Sequence, residues 1–111
     1  MASEFTARNV HNAVVTRVLQ GNGEAPHPLR RAAFDNAGLE EPLRRLINKV
    51  AAEPTRVTDD DIGAVKRSGL TEDQIFELVI CAAIGQSSRL YETALSALDK
   101  VSASDPGEHA S

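Results

Sequence analysis

The chain has 111 residues, 41% of them hydrophobic and only 4% aromatic, with a formal net charge of -4 and a single cysteine. That length suits one domain around one core, and without Trp the core falls to Leu, Ile, Val and Ala. The acidic balance argues against a nucleic-acid binder, since neutralising phosphates needs a basic face, and one cysteine excludes both an internal disulfide and a cysteine-rich zinc site.

Ser3 and Glu4 open the first expected helix as cap and favourable first-turn acid. Its opening residues, Met-Ala-Ser-Glu-Phe, lack a basic and then apolar leader, so no secretion signal and a cytoplasmic location are expected. Phe5, Val10, Ala13, Val14 and Val18 keep helical spacing, and Gly21 with Gly23 closes the run. The stretch 21–28, rich in Gly and Pro, reads as a loop that holds His27 in an extended link. Pro28 then suits the first helical position of a short helix over 29–37, with Leu29, Ala33 and Phe34 inward and Gly38 as the stop. Arg30 and Arg31, together with Arg44, Arg45 and Lys49, read as a solvated basic face.

Glu40, Glu41 and Pro42 introduce the next helix, and Leu43, Leu46, Ile47, Val50 and Ala51 supply its apolar stripe. Pro54 ends it. Thr58 caps a fourth helix whose first turn carries Asp59, Asp60 and Asp61, with Ile62 and Val65 inward and Gly69 as the stop. The three aspartates lack the alternation and the distal glutamate of a calcium loop, so capping is the better account and no metal is expected.

Thr71 and Gln74 form a second capping signature before the longest helical stretch. From Ile75 to Ile84 every residue but Glu77 is apolar, which calls for cover on more than one side. Residues 85–88, Gly-Gln-Ser-Ser, are weak helix formers and suggest a kink. Beyond them Leu90, Tyr91, Ala94, Leu95, Leu98 and Val101 narrow to one stripe. No apolar run reaches the ~18 residues of a membrane span, so neither membrane nor nucleic acid is an expected partner. The expected architecture is all-α: one compact helical domain over 1–101, about five helices with one long C-terminal helix, and a disordered tail over 102–111.

The unit from Val57 to Val79, with its acidic short helix, Gly69-Leu70-Thr71 turn and Glu72-x-x-Ile75-x-Glu77-Leu78 opening, resembles the carboxymuconolactone decarboxylase and alkylhydroperoxidase D-like superfamily. The Arg89-Leu90 pair adds to the likeness, which spans about Leu43 to Leu98. The resemblance implies an all-α, alkylhydroperoxidase D-like fold in which long helices pack between identical subunits, so a homodimer or higher homo-oligomer is expected. The redox members carry a Cys-x-x-Cys pair about three turns after a glutamate. In that register Glu77 matches the glutamate, Arg89 and Glu92 stand in place of the cysteines, and Ser96 falls near the histidine. A lone thiol cannot form the pair. The chain therefore reads as a short member without the redox motif, with no catalytic residue and no cofactor carried over.

The polar groups left on the long helix are Glu77, Gln86, Arg89 and Glu92, and they could line a ligand pocket or an intersubunit contact. Arg89 either pairs with Glu92 on the wet side or turns inward to a partner on another helix. Three functions follow. The first is a non-catalytic or cryptic homo-oligomer that binds a small molecule near the middle of the long helix. The second is a decarboxylase or lyase for a small organic acid, with Arg89 holding a carboxylate and Glu77 or Glu92 moving a proton. The third is a helix-turn-helix regulator, for which the segment 75–84 is too apolar.

Overall fold

Two capping boxes fix the helix starts that organise the molecule. In the computed structural model, which describes the backbone of residues 2–110 and the side chains of residues 8–102, Thr58 Oγ1 accepts from Asp61 N while the Asp61 carboxylate accepts from Thr58 N. Thirteen residues on, Thr71 and Gln74 repeat the exchange at 2.9 and 3.1 Å. Each box satisfies two amides that a helix start would leave unpaired. The elements are α1 (Ala2–Gln20), α2 (His27–Asp35), α3 (Leu43–Ala52), a 3-10 turn (Pro54–Arg56), α4 (Asp59–Arg67) and α5 (Glu72–Ala110). No strand occurs among the described residues. The fold is all-α, with five helices and a long C-terminal one.

The core lies where α2 and α3 cross the first half of α5, and Leu46, Ile47, Val65, Leu78 and Cys81 are its largest fully buried side chains. Lys49 of α3 joins Asp61 of α4 at 2.8 Å, so the second capping partner also ties two helices together. The α1 helix runs antiparallel along α5: Cys81 Sγ meets the Val18 carbonyl at 3.4 Å, and the His11 and Tyr91 rings stack at 4.8 Å. At 39 residues α5 sets the long axis, and the molecule measures 63 × 28 × 21 Å.

Several expectations change. The helix α2 begins at His27 rather than after Pro28, so His27 is not in an extended link: Pro26 is the extended cap residue, and Pro28 fits the first turn because its missing N–H is not needed there. Asn36, at φ 52°, ends α2 two residues ahead of the expected Gly38. Arg30 is only 4% exposed and leaves the basic face. Ile62 lies at the surface, because α4 turns only Asp61 and Val65 inward. The α5 helix runs unbroken through 85–88. Gly85 marks a crossing there and no kink: a Cβ at this position would collide with the backbone carbonyl of Phe34 on α2. The backbone of 102–110 continues α5 in place of the expected disordered tail, and α1 begins at Ala2, ahead of the expected Ser3 cap; apart from Ser102, the side chains of both segments lie outside the described residues.

Candidate functional site

Glu77, the one charge in the apolar run of α5, reaches across to the loop between α1 and α2. Its carboxylate accepts from Glu24 N at 2.8 and 2.9 Å and from Ala25 N at 2.6 Å. Nearby, Arg30 secures the same loop from the other side: Nε donates to the Ala25 carbonyl at 2.9 Å and Nη1 to the Gly21 carbonyl at 2.5 Å. Gln74 Nε2 adds a longer bond to the Glu24 carbonyl at 3.3 Å. Loop backbone therefore finds its partners in side chains, as buried or half-buried polar groups must. Gly23 leaves room here for both side chains, since a Cβ would make Glu77 Oε1 and Arg30 Nη2 shift.

Between the loop and the two long helices lies a cleft of about 190 Å³ lined by Arg17, Val18, Asn22, Arg30, Glu77, Ile80 and Cys81. It joins charge at the lip to an apolar wall, the usual make-up of a small-ligand site. Burial pushes the Cys81 thiol up from its ordinary value; the Arg30 guanidinium opposes that shift and the Glu77 carboxylate adds to it. Cys81 is thus a packed thiol, almost wholly buried and hydrogen-bonded to the Val18 carbonyl, without the accessible setting that a reactive cysteine needs.

The four polar residues singled out on α5 do not form one cluster. Glu77 belongs to the loop cleft. Gln86 and Arg89 sit together about three turns along, with Arg89 Nη2 donating to Gln86 Oε1 at 3.2 Å. Arg89 Nη1 donates to the Phe34 carbonyl at 2.7 Å, so its partner is the C-terminal end of α2, where a cation meets exposed carbonyls and the negative end of the dipole. Arg89 joins neither Glu92 nor Glu77 in an ion pair, and Glu92 faces solvent. Sequence reasoning missed Arg30, whose signal was its place in the first turn of a helix entered from a Gly- and Pro-rich loop. No group of three or more His, Cys, Asp or Glu that could hold a metal occurs among the described residues.

A second apolar groove, lined by Val10, His11, Val14, Ile84, Ser87 and Tyr91, follows the seam of α1 and α5. Beside it Phe76 and Leu90 stand 65% and 62% exposed. Compared with known proteins, the chain matches no family model, no curated protein and no solved structure.

Proposed function

We propose that the chain is a non-catalytic, homo-oligomeric helical protein, a short member of the carboxymuconolactone decarboxylase and alkylhydroperoxidase D-like superfamily, that assembles through the outer face of α5 and binds a small molecule beside the middle of that helix. The observation that carries this reading is the uncovered face itself. Phe76 and Ala83 lie seven residues apart, and from Ala83 the residues Ser87, Leu90, Ala94, Ala97 and Val101 follow in steps of four and three. All of them are exposed. A repeat of seven is the period of helices that pair along a shared seam, and the small residues in it let two helix backbones approach closely. The segment expected to be covered all round is covered on one side only, which leaves the other side for an identical chain.

The lyase reading has less support. Glu77 is engaged by loop amides and lies about three turns from Arg89, and Glu92, although only three residues from Arg89, is exposed to solvent rather than enclosed with it beside a ligand cleft. Sedimentation at micromolar concentration tests the proposal: the expected species is a dimer or larger. The double substitution Leu90→Glu with Ala97→Glu places charges in the seam without touching the core and should yield a helical monomer. A wild type that sediments as a folded monomer overturns the reading.

A further inference from the structure

The guanidinium of Arg30 is buried, yet it forms no ion pair within 4 Å among the described residues. Two of its nitrogens are held by the Ala25 and Gly21 carbonyls, and the third, Nη2, carries no hydrogen bond among the described residues. Removing a cation from water costs several kcal/mol unless an anion compensates. Glu77 compensates in part, but its carboxylate is already the acceptor for Glu24 N and Ala25 N. Arg17 brings a second cation to the lip of the same cleft, so two positive groups face one negative group there. The opposite wall, Val18, Ile80 and Cys81, is apolar.

We infer that this cleft binds a small monoanion, with a carboxylate head held between Arg17 and Nη2 of Arg30 and a short apolar body laid on Val18, Ile80 and Cys81. At about 190 Å³ the space falls below that of drug-sized pockets, which limits the ligand to a few carbons. A guanidinium suits the head because its planar fork matches the two carboxylate oxygens. The head brings the negative charge that the buried arginine lacks. This inference rests on the small-molecule half of the function proposed above, moves the ligand from the middle of α5 to its first turns at residues 77–81, and adds the ligand's chemistry.

Butyrate is the probe, with butyramide as its uncharged isostere and inorganic phosphate as an anion without an apolar body. Each is titrated by calorimetry and by the Nε–H resonance of Arg30 up to about 10 mM, a range that reaches affinities of the millimolar class. Butyrate should bind and shift that resonance, and butyramide and phosphate should do neither. Arg17→Glu, at an exposed position, should weaken butyrate by about tenfold or more, while Arg17→Lys, which keeps the charge and loses the fork, should weaken it by less. Absence of butyrate binding to the folded wild type overturns the inference, as does equal binding of butyramide or phosphate, or indifference to Arg17→Glu. Sedimentation of the same samples separates the two readings. Assembly without butyrate binding sinks this inference alone, and butyrate binding by a monomer sinks only the assembly.

Discussion

Up to Ser88 the helix α5 supplies Ile75, Leu78, Cys81 and Ala82 to the core; beyond it no described residue is buried, and only Tyr91, stacked on His11 of α1, and Leu95 are half-buried. The two halves differ little in their appetite for burial, since Leu90, Leu98 and Val101 are as apolar as the residues of the first half. They differ in what crosses them. In the first half α2 presses close because Gly85 presents no side chain to Phe34, and α3 packs into the same core. In the second half the chain provides only α1, which covers one side and leaves the seam open. Within one helix, then, the crossing partner decides whether an apolar residue is core or surface.

The same substitution made in both halves gives the largest contrast. Leu78→Ala removes a fully buried side chain and should cost about 2–5 kcal/mol by transfer and cavity terms together. Leu90→Ala, made under conditions that dissolve any assembly, should change unfolding by under ~0.5 kcal/mol. Chemical denaturation of both variants checks this, and equal losses would erase the distinction between core and arm. Next in size is Gly85→Val, which drives methyl groups into the Phe34 backbone and should cost about 3 kcal/mol, because a carbonyl cannot swing aside as a side chain can. Ser96→Val, a comparable addition to the exposed arm, should be near neutral. If both variants melt together, α2 does not cross α5 at Gly85.

Much of this was legible because it is local. Both capping boxes span three residues, and the stripe of Leu43, Leu46 and Ile47 on α3 follows from helical period alone. The crossing was not legible. Gly85, Gln86, Ser87 and Ser88 carry the composition of a kink, and only the backbone of Phe34, some fifty residues earlier, shows that small side chains there admit a neighbour. Ser88 Oγ is buried at the same stretch, without a hydrogen-bond partner among the described residues. The loop cleft was hidden for a related reason: Glu77 meets its amides across 53 and 52 residues. Its signal was present all the same, as the lone charge in an apolar run. Arg30 gave less away, because its two acceptors are main-chain carbonyls that any sequence offers.

Arg89 comes next in expected effect and tests the join between the halves. Its guanidinium caps the last turn of α2 through the Phe34 carbonyl while the side chain stays largely in solvent. A charge-assisted bond at an exposed helix end is worth about 1 kcal/mol. Arg89→Ala should therefore cost about that much and leave oligomer size unchanged, and Arg89→Lys should restore part of it. A loss of several kcal/mol would mean that Arg89 is buried in the assembly, with a carboxylate of a second chain as its partner.

The smallest effect belongs to the core end and is read as a pH dependence. The Lys49 ammonium hydrogen bond, followed by the Thr58 backbone amide, holds the Asp61 carboxyl at about 2, down from an ordinary 3.8, against the opposing pull of its own burial. A carboxylate with a depressed folded value stabilises the fold fully above its unfolded value and loses that contribution as pH falls toward the folded one. The window is thus from about pH 4 down to about pH 2. Asp61→Asn keeps an oxygen for the Thr58 amide but abolishes the charge that Lys49 meets. The gap in Tm between wild type and Asp61→Asn should be widest near about pH 5 and close steadily toward about pH 2, because protonated aspartic acid and asparagine are then equivalent toward Lys49. Lys49→Met should remove most of the same slope, since the ammonium is the leading cause of the shift. A gap that stays constant across the window would show that neither Lys49 nor the Thr58 cap favours the charged form, and a slope that survives Lys49→Met undiminished would show that the bridge between α3 and α4 adds nothing.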